Sequence, residues 1–249
     1  MIIIKSPKEL ELMRRAGRLV AGALEMLEPH IRPGMTTGEL DRLVEEYIVK
    51  NGGLPAFKGY RGFPASICAS VNEVVVHGIP DGRMLVEGDI IGVDIGVFLD
   101  GYYGDATRTF PVGTISAEAE RLLRVTEEAL HRGIAKAVAG GRLGDISQAI
   151  QEHVEAAGFS VVREFVGHGI GRQMHEKPEV PNFGRAGQGV RLRAGMTLAI
   201  EPMVNAGGPE VMVLDDNWTV VTRDASRSAH FEHTVAITAD GPEILTKLD

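Results

Sequence analysis

The chain has 249 residues, of which 44% are hydrophobic and 24% are charged, and its formal net charge is −8. This acidic balance argues against nucleic acid as a partner, because phosphate neutralisation needs clustered Lys and Arg. The single cysteine, Cys68, excludes an intramolecular disulfide and favours a reducing compartment. No stretch approaches the roughly 20 apolar residues that span a bilayer, and residues 1–5 are too short for a secretory signal. We therefore expect a cytoplasmic protein with no membrane partner.

Two helices are predicted at the start of the chain. Residues 6–9 (Ser-Pro-Lys-Glu) offer an N-cap serine, a proline in the first turn and a capping-box glutamate. Apolar residues then recur at helical spacing up to Pro29. A second capping box at residues 36–39 (Thr-Thr-Gly-Glu) opens a helix that ends at Gly52-Gly53.

Strand patterns follow these helices. Residues 65–77 are rich in Ile and Val, and residues 89–99 have the composition of a buried strand. Asp100-Gly101 is typical of a hairpin turn, so the chain is expected to return through residues 103–107 beside the preceding strand.

The remainder of the chain mixes both kinds of element. Helices are predicted from Ser116 to about Val138 and from Gly144 to Ala157, with Gly158 as the C-terminal stop. From Val161 onward the pattern indicates short strands and glycine-rich loops. Helices together with hairpin-connected strands predict an α+β fold.

A weak internal repeat relates the two halves of the sequence. Residues 38–52 align without gaps on residues 144–158, and each half then reaches a strand that ends in His-Gly-Ile, at residues 77–79 and 168–170. The aligned stretch is short, so coincidence between two capped helices is the alternative. A true repeat predicts two helix-helix-sheet halves with a ligand cleft between them. No linker-like composition separates the halves, which favours one domain.

Two aspartates stand almost symmetrically about the predicted hairpin turn. A hairpin would make Asp94 and Asp105 cross-strand neighbours on one face. Burying two such carboxylates in apolar strands is costly unless a cation compensates their charge. The alternative is a pair of strand-end aspartates that cap turns, and these two residues alone do not decide between the interpretations.

Two glutamates repeat this pattern and change the balance. Glu201 and Glu232 each stand in a hydrophobic strand segment, and no Lys or Arg is similarly embedded nearby. His168, between glycines, would add one nitrogen ligand. Four carboxylates and one imidazole suit two divalent ions such as Co, Mn, Fe or Zn. Two such ions can share a hydroxide and lower its pKa, which makes a nucleophile at neutral pH.

These residues resemble the methionine aminopeptidases of the pita-bread fold. The order Asp, Asp, His, Glu, Glu matches the five ligands of that family, and the flanking sequence matches at residues 72–80, 104–110, 167–171, 175–178 and 201–202. The resemblance covers essentially the whole chain. It indicates the short bacterial type I form, because the chain lacks both an N-terminal extension and the long insertion of type II enzymes. It implies one catalytic domain, residues 1–249, with two pseudo-symmetric helix-sheet halves around a central antiparallel sheet.

The resemblance also implies an activity and the residues that perform it. The expected enzyme removes N-terminal methionine when the second residue is small, through attack of a metal-bridging hydroxide on the scissile carbonyl. Glu201 would be both ligand and general base. His77 would bind or protonate the leaving nitrogen, and His175 would stabilise the oxyanion. The free amino group of the substrate would reach a metal, which makes the enzyme an exopeptidase.

Family positions that line an apolar methionine pocket are also matched. They correspond to Tyr60, Phe63, Cys68, Met174 and Trp218. Met174 replaces the more usual aromatic residue before the second histidine. Since methionine is apolar and flexible, we expect the pocket to persist with an altered shape. The resemblance further implies a monovalent-cation site at Asn72, Val74 and Ser228.

Expected partners follow from the substrate class. N-terminal Met peptides and nascent chains are the logical substrates, so the ribosome is a candidate partner although no motif indicates it; the resemblance implies a monomer. Two alternatives remain. A proline-specific peptidase of the same fold normally carries a large N-terminal domain, for which Asp94 arrives too early. A non-catalytic binding protein of the same fold has no physical reason to bury four acids around His168.

Overall fold

The computed structural model describes residues 1–248 as a set of helices and short strands. The α-helices are Pro7–Leu27 (α1), Thr37–Lys50 (α2), Ala117–Lys136 (α3) and Leu143–Ala156 (α4), with short 3₁₀ helices at Glu28–His30 and Tyr60–Gly62. The strands of the first half are Leu54–Pro55 (β1), Ile67–Val71 (β2), Val74–Val76 (β3), Ile90–Leu99 (β4) and Tyr102–Pro111 (β5). Those of the second half are Ser160–Val161 (β6), Gly167–Gly169 (β7), Glu176–Val180 (β8), Thr197–Ile200 (β9), Met203–Asn205 (β10), Val211–Val213 (β11), Val220–Thr222 (β12), Ser228–His230 (β13), His233–Ile237 (β14) and Pro242–Ile244 (β15).

The two predicted N-terminal helices are confirmed together with their capping boxes. The Ser6 hydroxyl accepts a hydrogen bond from the Glu9 backbone N–H at 3.4 Å, and the Glu9 carboxylate accepts one from the Ser6 N–H at 2.9 Å. Thr36 and Glu39 form the same reciprocal pair at the start of α2. Each pair satisfies backbone donors that the first helical turn leaves free, which fixes where both helices begin.

The hairpin that carries two of the predicted ligands is also present. Strands β4 and β5 pair antiparallel along their whole length around the turn at Asp100 and Gly101. Both turn residues have positive φ, 51° and 86°, as a two-residue type I′ turn requires. Strands β1 and β2 pair with the other edge of β4, and helices α1 and α2 pack on this sheet.

The second half is built from shorter strands in three sheets. A five-stranded antiparallel sheet has the order β15-β14-β9-β7-β8, and two three-stranded sheets have the orders β13-β10-β6 and β11-β12-β3. Helices α3 and α4 pack together and cover β9, β10, β13 and β6. Strand β3 belongs to the first half in sequence but pairs with β12 of the second half, which joins the halves.

The predicted repeat is confirmed by the arrangement of the helices. Helices α2 and α4 both have 14 residues, and each follows a helix of 20 or 21 residues. The first turn of each donates a backbone hydrogen bond to a loop of its own half, Gly38 to Asp81 and Gly144 to Gln188. Each half has its own apolar core, and a third apolar cluster lies between them. The architecture is the pita-bread fold. Within residues 1–248, none of the helices combines the length and apolar character that crossing a membrane requires.

Candidate metal centre and active site

The five predicted ligands converge on one cavity between the halves. Asp94 lies on β4 and Asp105 on β5, His168 lies in β7, Glu201 directly follows β9, and Glu232 stands between β13 and β14. All five side chains line a cavity of about 200 Å³. The first half thus contributes two carboxylates and the second half contributes the imidazole and two more carboxylates.

The two aspartates share one face of the hairpin, as predicted, but they are not directly opposed. Asp94 pairs with Thr107 and Asp105 pairs with Gly96, so the acids are diagonal neighbours two residues apart in register. Diagonal neighbours on one face of a sheet stay within reach of each other's side chains. The hairpin therefore places the two carboxylates side by side, within hydrogen-bond reach of each other when one of them is protonated.

Threonine side chains form hydrogen bonds that connect the acids of the two halves. The Thr107 hydroxyl donates a hydrogen bond to Glu232 Oε2 at 2.9 Å. The Asp105 backbone N–H donates to the Thr234 hydroxyl at 3.1 Å, and that hydroxyl donates to the Asp105 carbonyl at 2.8 Å. These bonds lock β5 against β14, so the relative position of the carboxylates is set by the sheet framework.

The tautomer of His168 is fixed by the backbone. Its Nδ1 donates a hydrogen bond to the Gly169 carbonyl at 2.9 Å, which leaves Nε2 with a free lone pair. Nε2 lies 3.5 Å from Glu201 Oε1 and 3.9 Å from Asp105 Oδ2. A lone pair that faces two carboxylate oxygens is the arrangement of a metal-ligating histidine. Residue 167 is glycine because a side chain there would overlap the Ala199 carbonyl.

The donor set fits a divalent cation. One buried oxygen of each of three acids, Asp94 Oδ1, Asp105 Oδ1 and Glu232 Oε1, has no hydrogen-bond partner among residues 1–248. Ligand atoms of Asp105, His168 and Glu232 all lie within 4.8 Å of one another. Buried acceptors without partners destabilise the folded protein, so a cation bound to these oxygens would stabilise it.

The electrostatics of the cluster point the same way. Burial raises the pKa of Asp94 to about 7. Burial and repulsion by neighbouring carboxylates raise the pKa values of Asp105 and Glu201 well above the ordinary range, and burial does the same for Glu232. Burial also lowers the pKa of His168 to about 3, so its ring is neutral at physiological pH. The acids can all ionise together only when positive charge enters the site.

His77 is held in a strained conformation at the wall of the same cavity. It directly follows β3 with φ 60°, a region that residues other than glycine seldom occupy. Its ring meets the edges of Phe165 and Trp218, with centroids 5.8 and 6.2 Å away. Burial lowers the His77 pKa to about 4, so the ring is neutral.

His175 stands at the mouth of the cavity, just before β8. The Tyr60 hydroxyl is 2.9 Å from its Nδ1, and the two rings stack at 5.5 Å. Its ring centroid is 4.2 Å from that of His168. Partial burial, reinforced by the Arg61 charge, lowers the pKa of His175. The structure therefore brings both sequence-predicted histidines to the cavity that holds the acids.

Comparison with known proteins agrees with this geometry. Residues 11–239 match the model of metallopeptidase family M24. The chain is 59% identical over 246 residues to a methionine aminopeptidase of Clostridium perfringens, with 99% of both chains covered, and 56% identical to methionine aminopeptidase 1 of Bacillus subtilis, with 100% of both covered. The chain belongs to the methionine aminopeptidases of family M24. The solved methionine aminopeptidase of Thermotoga maritima superposes with a TM-score of 0.98 at 51% identity, over 100% of both chains.

Four of the five pocket residues expected of a methionine aminopeptidase line the cavity. These are Tyr60, Phe63, Cys68 and Trp218, and the rings of Phe63 and Trp218 meet edge to face at 5.1 Å. Met174 is buried, at 1% exposure, in the same apolar cluster, but it is not among the residues that line the cavity. Its thioether therefore packs behind the pocket wall, and its influence on pocket shape is indirect.

The residues expected to bind a monovalent cation lie near one another. The Ser228 backbone N–H donates a hydrogen bond to the Asn72 carbonyl at 2.8 Å, and Val74 begins β3 two residues later. Asn72 has φ 55°, and its side chain donates to Asp89 at 2.8 Å. The loop is therefore rigidly held beside β13.

Several cavity residues were not predicted from the sequence. Phe57, Arg61, Val76, Phe165, Val166 and Met203 also line the cavity. Most of them lie in or beside short, irregular segments where periodicity carries no information. His230 is a further omission: it is buried beside Glu201, and the available signal was its place two residues before Glu232 in the same apolar segment.

Proposed function

We propose that this chain removes N-terminal methionine from peptides and nascent proteins whose second residue is small. The observation that carries the proposal is the cluster of four carboxylates and one imidazole that opens into a cavity with an apolar wall. Asp94, Asp105, His168, Glu201 and Glu232 would hold two divalent cations, with Co, Mn, Fe and Zn as the candidate metals. Cations held there would polarise the scissile carbonyl and lower the pKa of the attacking water.

Glu201 is the general base in this proposal. Its carboxylate stands at the edge of the cluster, 3.5 Å from His168 Nε2, and it lines the cavity. It would take a proton from the attacking water and deliver it to the leaving amine. The same carboxylate can do both because it faces the cavity where the scissile bond would lie.

Two histidines would form hydrogen bonds with the oxygen and the nitrogen of the scissile amide. A Tyr60 hydroxyl that donates to His175 Nδ1 leaves the ring proton on Nε2, ready to donate to the developing oxyanion. Such a donor contributes about 2.7–4 kcal/mol to transition-state stabilisation. His77, neutral and held at φ 60°, would accept a hydrogen bond from the amide nitrogen. Tyr60 therefore serves both the pocket and the oxyanion donor.

Selectivity for methionine would come from the apolar wall. Tyr60, Phe63, Cys68 and Trp218 offer aromatic faces and a thiol to a flexible thioether, which makes favourable contacts with aromatic rings. Met174 would support this wall from behind. We further propose that Asn72, Val74 and Ser228 bind a monovalent cation that stiffens the segment leading to His77.

The cellular setting is part of the same proposal. Residues 1–249 would act as a single catalytic domain and as a monomer in the cytoplasm, where nascent chains leaving the ribosome are the substrates. The lone cysteine supports a reducing compartment.

Peptide hydrolysis by metal-stripped protein tests the proposal. Met-Ala-Ser, Leu-Ala-Ser, Met-Leu-Ser and an Xaa-Pro dipeptide are offered before and after Mn²⁺, Co²⁺, Fe²⁺ or Zn²⁺ is restored. Free methionine should appear from Met-Ala-Ser alone, and only when metal has been restored. Folded protein that is inactive with every metal would favour a non-catalytic scaffold, and a preference for the Xaa-Pro bond would favour a proline-specific peptidase.

A further inference from the structure

A third buried imidazole adjoins the candidate centre without an assigned role. His230 ends β13, its residue is 4% exposed, and its Nε2 has no hydrogen-bond partner in the described part of the chain. That nitrogen points at Glu201 Oε2 from 3.6 Å. A buried polar atom without a partner needs an explanation, and here the group it faces is the proposed general base.

The backbone of His230 is held in place by hydrogen bonds to a neighbouring strand. The His230 N–H donates to the Thr109 hydroxyl at 2.9 Å, and that hydroxyl donates back to the His230 carbonyl at 2.8 Å. Across the strand pair His230 is opposite Met203, which lines the cavity. Since β5 and β10 both fix the backbone of this residue, its side chain starts from a fixed position beside Glu201.

Two imidazoles therefore flank the Glu201 carboxylate, one on each oxygen. His168 Nε2 lies 3.5 Å from Oε1, and His230 Nε2 lies 3.6 Å from Oε2. They differ in their other ring nitrogen. Nδ1 of His168 gives its proton to the Gly169 carbonyl. Among residues 1–248 the hydrogen bonds of His230 to a side chain are those of its backbone with Thr109, and none holds a proton on Nδ1. His168 must present a lone pair to the cluster, but His230 is free to place its proton on Nε2.

We propose that His230 is a positioning residue whose Nε2–H donates a hydrogen bond to Glu201 Oε2. A lone pair facing a carboxylate oxygen would be repelled, so the proton belongs on the nitrogen that faces it. A shift of about 0.5 Å in the carboxylate brings the pair into the 2.7–3.2 Å range of a hydrogen bond. The bond holds Oε2 and thereby keeps Oε1 turned towards His168. The proposal rests on Glu201 as base, as proposed above.

The tautomer of His230 is the most direct readout, and it does not depend on activity. Protein labelled with ¹⁵N in histidine and loaded with diamagnetic Zn²⁺ is compared with its metal-free form by long-range ¹H–¹⁵N NMR. The proposal predicts that His230 carries its proton on Nε2 in both forms. An Nε2 that is unprotonated, or whose resonance shifts as a zinc ligand does, would show a cation ligand instead and would overturn the proposal.

Variants test the consequence for turnover. His230→Leu removes the donor, and kcat should fall on the order of 10- to 100-fold, the loss usual for residues that orient a metal ligand, while KM is retained. His230→Gln keeps an N–H donor and should recover most of kcat. His153→Leu is the matched control, because His153 pairs with Glu128 on the α3–α4 surface. Equal kcat and equal Mn²⁺ affinity in His230→Leu and wild type would overturn the positioning role.

The outcomes separate this proposal from the proposed function. A wild-type protein that releases no methionine with any metal defeats the peptidase assignment, and it leaves the NMR tautomer and the Mn²⁺ affinity of His230→Leu as tests of the contact with Glu201. An active wild type in which Glu201→Gln is inactive but His230→Leu is unaltered keeps the peptidase and rejects His230.

Discussion

Two buried acidic regions flank the segment that carries His168 and His175, and they solve the same electrostatic problem differently. Glu176 forms an ion pair with Lys5 at 2.6 Å, and both side chains are 3% exposed. Its other oxygen accepts backbone hydrogen bonds from Arg172 and Gln173. In the candidate centre, by contrast, no lysine or arginine of residues 1–248 forms an ion pair with the four carboxylates, and several of their oxygens have no partner.

The contrast separates a structural charge from a functional one. The chain supplies its own cation to Glu176, so both oxygens of that carboxylate have partners and they hold the loop before His175. The carboxylates of the centre have no ion-pair partner in the described part of the chain, so their ionised form is stable only with a cation from solution. Four predictions, from the largest expected effect to the smallest, test this difference.

Glu201→Gln preserves the shape of the centre and removes its base. We expect kcat for Met-Ala-Ser to fall about 10²- to 10⁴-fold, the usual contribution of a general base. Metal content is measured on the same samples, and Glu46→Gln on the exposed face of α2 is the control. Near-wild-type turnover in fully metallated Glu201→Gln would eliminate this role for Glu201.

Lys5→Met removes the internal cation and leaves Glu176 buried with an unpaired charge. The free energy of unfolding should fall by about 3–5 kcal/mol, because a broken buried ion pair strands the remaining charge. Urea unfolding measures this loss. The double variant Lys5→Met/Glu176→Leu should recover most of it, and Lys58→Met, which breaks an exposed pair with Glu45, should cost much less than Lys5→Met. Equal losses in Lys5→Met and Lys58→Met would contradict the account.

Asp105→Asn removes one negative charge from the candidate metal centre. Mn²⁺ affinity should fall at least 10- to 100-fold, a loss that orienting partners alone can cause. The metal-free variant should unfold at a temperature equal to or above that of the metal-free wild type, because it buries one fewer anion. Calorimetric titration and thermal unfolding with and without chelator measure both effects. Lower metal-free stability with unchanged Mn²⁺ affinity would make Asp105 a structural residue.

The smallest effect is a pH dependence that appears only without metal. The Asp94 pKa rises from 3.8 to about 7 in the fold, so folded protein keeps a proton that the unfolded chain releases across this interval. A proton held only by the folded state means that stability is lost as pH rises. Metal-free Asp94→Asn should therefore gain stability over the wild type as pH rises from about 4 to 7. Asp94 also raises the pKa values of Asp105, Glu201 and Glu232 by repulsion, so the difference reports Asp94 together with its effect on these neighbours. A difference that shrinks as pH rises would contradict the assignment.

The predictable parts of the fold are those that contacts between residues close in the sequence determine. Capping boxes at Ser6 and Thr36 fix helix starts through contacts three residues apart, and the Asp100-Gly101 turn fixes a hairpin by its positive φ values. In the second half, strands of two to five residues are too short for periodicity to define. Their pairing depends on contacts between distant segments.

The same distinction applies to the site. The acids were predictable because a charge in an apolar strand is conspicuous in the sequence, and His168 followed as a nitrogen ligand to accompany them. The sequence predicts Asp94 and Asp105 as cross-strand neighbours, and the turn at Asp100 and Gly101 sets them two residues apart in register. The expectation that no lysine is embedded near the acids holds for the centre itself, but Lys5 is buried against Glu176, 171 residues along the chain. Such a pair leaves no local trace in the sequence.

Calorimetric titration of metal-stripped protein with Mn²⁺ tests the central claim most directly. The account predicts saturable binding of two Mn²⁺ per chain, recovery of methionine release as the ions bind, and a rise in the unfolding temperature. Folded wild-type protein that binds no Mn²⁺, or that binds it equally well after Asp105→Asn, would contradict the claim that the buried carboxylates exist to hold cations.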